Sequence, residues 1–245
     1  MTMRSLIAHL GFAALRANIR PPKLKILTRY QEQWMFKNLL NRLGITLLLD
    51  VGANNGKFAE GVRLTGYRGR IVSFEPNPAE HATLSSRASR DPYWSTQCCA
   101  LGDAEGTVSL NITGSNSVYS SILTPKDTPP VSSIASVPVH RLDALWNKIA
   151  GNNDRVFLKT DTQGYDLHVL QGAGLRLTDI IGIQTELNVI KLYKDAPHYL
   201  KVLDFLESNG FSVMELRPIG HTKERFILEF DCFAARASAF ATATR

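Results

Sequence analysis

Leu47-Leu48-Leu49-Asp50-Val51-Gly52-Ala53-Asn54-Asn55-Gly56 is an apolar run that stops at an acid and breaks into a glycine turn. Phe58 and Val62 follow at helical spacing. Buried strand, tight loop and amphipathic helix in that order open a nucleotide-binding α/β unit. A strand apolar throughout suits the middle of a parallel sheet covered on both faces. Gly52 and Gly56 leave the backbone bare for a ligand, and the next helix offers unpaired N–H groups at its N-terminus.

The local spacing narrows the ligand. The dinucleotide fingerprint G-x-G-x-x-G lacks its second glycine here, because Ala53 and Asn54 follow Gly52. A phosphate-binding P-loop needs four residues between its glycines, then Lys and Ser or Thr. Only three separate Gly52 from Gly56, and Phe58 follows Lys57. The plain alternative is a strand–helix turn that binds nothing.

A second strand, Arg70-Ile71-Val72-Ser73-Phe74-Glu75, also ends in an acid, 25 residues after Asp50. In such folds that acid takes the ribose hydroxyls. Asn77 suits the N-cap of the next helix, Pro78 its first position, and Glu80 the far end of a capping box. Residues 156–161 and 180–186 read as further buried strands, ending at Asp161 and Glu186. Ligands bind outside the carboxyl ends of strands in open α/β sheets. Four acids there suit a cation and repel the phosphates of NAD or ATP.

Three motifs, residues 50–56, Phe74-Glu75-Pro76, and Leu158-Lys159-Thr160-Asp161-Thr162-Gln163-Gly164-Tyr165-Asp166, together resemble the FkbM family of S-adenosylmethionine-dependent methyltransferases. The likeness spans roughly residues 46–233. It implies a class I methyltransferase (Rossmann-like) α/β sheet, mostly parallel, with an antiparallel C-terminal hairpin and helices on both faces. It implies a cofactor site at Asp50, Gly52, Asn54, Gly56, Glu75, Pro76 and Asn77, with Ala100, Leu101 and Asp103 beside the adenine. The sulfonium and α-ammonium of S-adenosylmethionine are the cations that the acid ring would meet. The acceptor implied is a hydroxyl on a sugar, glycolipid or glycosylated natural product. Its proton needs a base, for which Asp161, then Glu186, then His140 are the candidates. Asp161 and Glu186 would be the pair to share a metal, but no dedicated ligand set is visible. In the family, glutamate is usual at the positions of Gln163 and Asp166. This departure keeps a non-catalytic cofactor-binding module as an alternative; a NAD-linked oxidoreductase is disfavoured by the missing glycine.

The chain of 245 residues reads as one catalytic domain, 45–235, with a helical N-terminal extension, 1–44, and a disordered tail, 236–245. Residues 1–42 hold eight of the 28 Lys and Arg but one of the 22 acids, a net +7, while the remaining 203 residues carry −1. Residues 6–15 form an apolar stretch between Arg4 and Arg16. His9 and the lack of a small-residue cleavage site argue against a secretory signal. An amphipathic helix in residues 1–20 is expected, lying on an anionic membrane or packing on this domain or a partner. No apolar run reaches the roughly 18 residues that span a bilayer. The three cysteines, two of them adjacent, fit a reducing compartment. The expected location is the cytoplasm, with peripheral membrane contact through the arm. No nucleic-acid motif accompanies the basic arm, so no nucleic-acid partner is expected. The sequence leaves the oligomeric state open, a dimer included.

Further along, residues 93–100 read as a third strand and 107–112 as a short extra one. Residues 114–136, rich in Ser, Pro and Thr, read as a long loop, which the family resemblance puts near the acceptor site. A helix at 165–171 closes on Gly172 and Gly174. Asp195, Ala196 and Pro197 open another, whose stripe of Tyr199, Val202, Leu203 and Leu206 is core. Residues 211–216 and 225–234 read as the final strand pair.

Overall fold

The structure, a computed structural model, describes residues 25–114, 117–126 and 130–240. The expected helix within residues 1–20 lies outside them. The chain divides into two compact units, residues 1–36 and 37–245. The described part of the first is the opening of helix α1 (Lys25–Arg42), with Tyr30 and Trp34 exposed. No described helix is long and apolar enough to cross a membrane.

The second unit is built on a seven-stranded sheet. Its first strand, β1 (Leu47–Val51), is buried at every position. It pairs in parallel with β2 (Arg70–Phe74) on one side and β7 (Val156–Thr160) on the other. β3 (Trp94–Gln97) extends the sheet beyond β2, and β8 (Ile180–Asn188) extends it beyond β7. The last pair, β9 (Ser212–His221) and β10 (Ile227–Ala235), gives the order β3-β2-β1-β7-β8-β10-β9. β10 runs antiparallel to both neighbours, the hairpin that the sequence implied.

Helices α2 (Lys57–Leu64), α3 (Pro78–Ala88), α4 (Leu142–Ile149), α5 (Asp166–Gly172) and α6 (Tyr199–Ser208) complete the layers. The stripe of α6 is core as expected: Val202 and Leu206 are buried against Leu187, Cys232 and Ala234, and Tyr199 and Leu203 pack on the same cluster. A second sheet of β4 (Ala100–Leu101), β5 (Gly106–Thr113) and β6 (Val131–His140) stands beside the first in the order β4-β6-β5.

Several local expectations are corrected. The third strand is two: β3 joins the large sheet and β4 the small one, because Ala100 pairs with Val139 while Trp94 pairs with Ile71. The Ser- and Pro-rich stretch is not all loop; from Val131 it pairs with β5 along its length, and the 3-10 turn Ser117–Tyr119 precedes it. Asn77 does cap α3, accepting from the Ala79 N–H, and Pro78 follows it. The Asn77 N–H itself goes to Glu75 (2.8 Å) rather than to Glu80. Helix α6 starts at Tyr199 with His198 as its cap, since Asp195 is left-handed (φ 61°).

Gly172 does not end α5 as a left-handed cap. A Cβ there would stand 1.9 Å from the Gly102 carbonyl oxygen, so glycine is needed for close packing of α5 on the turn after β4. Arg236 donates to the carbonyls of Ile180, Leu177 and Asn209, at 2.8–2.9 Å, and lies over Phe211; a 3-10 turn, Ala237–Ala239, follows it. Residues 241–245 lie outside the described ones.

Candidate active site

The carboxyl ends of β1, β2, β7 and β8 converge on one cleft, lined by Gly52, Asn54, Glu75, Asp161 and Glu186. The glycine turn after β1 forms its floor. Gly52 is left-handed (φ +74°), and a Cβ on it would stand 2.0 Å from the Asp161 carbonyl oxygen. The Asp161 N–H donates to the Val51 carbonyl at 3.1 Å. The loops after β1 and β7 are therefore locked face to face, which only glycine permits. Gly56 belongs to packing, turned toward Leu84 and Trp94.

Glu75 faces the cleft from the end of β2. One of its oxygens accepts the Asn54 N–H (2.7 Å) and the other the Asn77 N–H (2.8 Å). Burial pushes its pKa up to about 7, although both N–H bonds oppose the shift. Each oxygen keeps a lone pair for a ligand hydroxyl. Asn54, itself left-handed (φ 47°), also donates through Nδ2 to Ser117 Oγ at 3.2 Å, tying the turn to the cleft's outer wall.

Asp50 does not reach the cleft. It is fully buried, with one oxygen 3.1 Å from Lys159 Nζ and the other accepting from Ser73 Oγ. Lys159 is also 3.6 Å from Asp161, within hydrogen-bond reach of the Gly52 carbonyl, and beside the Phe58 ring. Burial alone would lower the pKa of this ammonium, but Asp50 and Asp161 outweigh it and hold it above its ordinary value. The ring of four carboxylates is thus partly neutralised from within. Lys159 was the residue that sequence reading passed over, and its signal was a lone cation inside an apolar strand.

Asp161 and Glu186 stand together on the cleft wall. The Gln163 Nε2 group lies between them, 3.1 Å from Asp161 Oδ1 and 3.2 Å from Glu186 Oε2. Burial raises the Glu186 pKa well above its usual value, and Asp161, Glu229, Asp166 and Asp231 add to the effect. The other side of the cleft is apolar where Phe74, Ala100, Leu101 and Tyr165 line it, and polar where Ser117, Ser120 and Ser121 do. The serine wall is anchored. Ser121 Oγ donates to the Gln163 carbonyl (2.8 Å), and Asn111 Nδ2 donates to the carbonyls of Ser121, Ile122 and Leu123.

Of the expected site residues, the cleft gathers Gly52, Asn54, Glu75, Pro76, Ala100, Leu101, Asp161 and Glu186. The other five do not line it. Asp50 is paired with Lys159, Gly56 is packed, and Asn77 serves as a helix cap. Asp103 pairs with His168 (3.1 Å), and His140 pairs with Glu105 (2.7 Å) on the small sheet.

Comparison with known proteins places this arrangement. Methyltransferase 1 from Beauveria bassiana (strain ARSEF 2860) is 23% identical over 190 residues, covering 71% of this chain and 75% of that protein. The crystal structure of a methyltransferase FkbM from Methylobacillus flagellatus KT matches with a TM-score of 0.51 and 18% identity over 78% of this chain. The match spans 43% of that chain, less than half its length. The methyltransferase domain of bacterial CtHen1-C matches with a TM-score of 0.50 and 10% identity, covering 84% of this chain and 97% of that one. At such identities these structures speak for the fold alone. The methyltransferase FkbM domain model matches residues 50–213, two thirds of the chain, which take in the glycine turn, Glu75 and the Asp161–Glu186 pair. On that match, the chain belongs to the methyltransferase FkbM family.

Proposed function

We propose that this protein transfers a methyl group from S-adenosylmethionine to a hydroxyl of a sugar, glycolipid or glycosylated natural product. The observation that carries the reading is a single cleft that holds both Glu75 and the Asp161–Glu186 pair. The cleft's chemistry fits the cofactor. Glu75 offers two acceptor oxygens to a ribose diol. Gly52 lines the cleft with no side chain of its own. Leu101, Phe74 and Tyr165 supply an apolar slot for a flat base. The carboxylate side suits a sulfonium and an ammonium.

The bound cofactor supplies an electrophilic methyl group. The chain's own task is to align an acceptor oxygen with it, exclude water and take the hydroxyl proton. Asp161 is the base in this reading, because its carboxyl lines the cleft and its side chain is 41% exposed, open to an acceptor. Glu186 stands beside it in the same wall, and Ser117 and Ser120 give a polar acceptor further hydrogen-bond partners. His140 pairs with Glu105 and is not among the residues that line the cleft.

Calorimetric titration with S-adenosylmethionine, S-adenosylhomocysteine and NAD, each alone, tests the reading. Binding of the first two without the third is expected. Silence from both sulfur compounds refutes it. Glycoside and glycolipid acceptors are then screened for methylation.

A further inference from the structure

Gln163 is held at three points. Its side-chain carbonyl lies 2.9 Å from the hydroxyl of Tyr193, a residue with no exposed surface. Its backbone carbonyl accepts from Ser121 Oγ. Its backbone is left-handed (φ 55°), as is that of Gly164 (φ 91°), a costly conformation for a non-glycine residue that its surroundings must maintain. The amide orientation follows from its neighbours. Two carboxyl groups face one end and call for the NH₂, while at the other end the Tyr193 hydroxyl lies 2.9 Å from the carbonyl, its single proton shared with the Tyr119 carbonyl at 3.0 Å.

The two N–H bonds of that NH₂ point at Asp161 and Glu186, one each. A divalent cation shared by these carboxylates would sit about 2.0–2.6 Å from the same oxygens, in the space that the amide hydrogens fill. The site therefore does not fit a metal bridging Asp161 and Glu186. We propose that Gln163 is the positioning residue of this pair: its amide takes the place of a bridging cation and holds the two carboxyl groups together without one. The inference rests on the reading of the cleft as a methyl-transfer site.

The pair's surroundings make such a holder necessary. Glu186 is faced by Asp161 and Asp166 from the loop after β7 and the start of α5, and by Glu229 and Asp231 from β10. Tyr193, from the segment after β8, presents its hydroxyl, and Lys159 on β7 brings a positive charge within electrostatic reach. Lys159 is already engaged with Asp50 and Asp161. Only the Gln163 amide donates to Asp161 and Glu186 together among the described residues.

The test reads the carboxyl groups directly by ¹³C NMR on protein labelled at Asp and Glu, with manganese(II) as the cation probe. In the wild type, 1 mM manganese(II) is expected to leave the Asp161 and Glu186 signals unbroadened. In Gln163→Glu, three carboxylates meet, and those signals are expected to broaden saturably. Gln163→Leu removes the donor without adding charge, and the Glu186 titration midpoint is expected to rise by about one pH unit. Manganese broadening of the pair in the wild type overturns the proposal, and that measurement needs no variant to fold. So does a Glu186 midpoint unchanged in both variants. S-adenosylmethionine titration of the same samples separates the two readings. Normal cofactor binding with an indifferent pair removes the role of Gln163 alone, and absent binding with a responsive pair removes the methyltransferase reading alone.

Discussion

Replacing Lys159 by methionine keeps a side chain of similar length but removes the ammonium and its cation–π contact with Phe58. Lys159 is 4% exposed and Asp50 has no exposed surface, so the Asp50 carboxylate would be left buried without its counter-charge. Removing one partner of a buried pair costs about 3–5 kcal/mol. Domains of ordinary stability have about 5–15 kcal/mol in all, so the variant should fold but be visibly weakened. With a urea slope of about 2 kcal/mol/M, the unfolding midpoint should fall by about 2 M at unchanged slope. The double variant Asp50→Asn/Lys159→Met removes both charges and should recover most of the loss, because the cost lies in the orphaned carboxylate rather than in the lost attraction. Urea unfolding followed by tryptophan fluorescence measures all three. A single variant that loses under about 1 kcal/mol, or a double variant no better than the single, refutes the reasoning.

The raised pKa of Glu75, about 7, links cofactor binding to pH. Ribose hydroxyls donate to the ionised form, so affinity should be level above about pH 8 and fall toward tenfold per unit well below pH 7. Calorimetry across that range should show this slope in the wild type and none in Glu75→Gln; a flat wild-type profile defeats the ribose role. Asp161→Asn should abolish methyl transfer and leave the dissociation constant for the cofactor within a few-fold, and full turnover in that variant would remove Asp161 as the base. Gly172→Ala drives a methyl group to 1.9 Å from the Gly102 carbonyl and should cost about 1–3 kcal/mol or more in thermal unfolding. Anionic liposomes should pellet the full chain more than a version lacking residues 1–20, by virtue of Arg4, Arg16 and Arg20 and the apolar stretch 6–15; equal pelleting would exclude a membrane role for residues 1–20.

The strands of the large sheet were legible because each of β1, β2, β7 and β8 is a short apolar run closed by polar residues, a pattern set by burial on both faces. The acids at their ends were legible for the same reason. Their roles were not. Whether Asp50 meets a ligand depends on Lys159, more than a hundred residues away and adjacent only because β1 pairs with β7. The division of residues 93–101 between two sheets was hidden likewise, since the partner of β4 is β6, whose Ser-rich sequence has little strand character. The fixed orientation of the Gln163 amide depends on Tyr193, which no local pattern connects to it.

The lock between Gly52 and Asp161 makes the floor of the cleft and the wall that carries the proposed base a single mechanical body. A substitution in residues 161–164 that reshapes the proposed acceptor side is therefore expected also to disturb the turn proposed for the cofactor. The described part of the excursion between β5 and β6 is tied down on two sides: backbone bonds join Ser121 to Asn111, Lys194 to Thr124 and Lys126 to Leu192, and Asn54 donates to Ser117. A change there reaches the Asn54 turn only through that one side-chain bond.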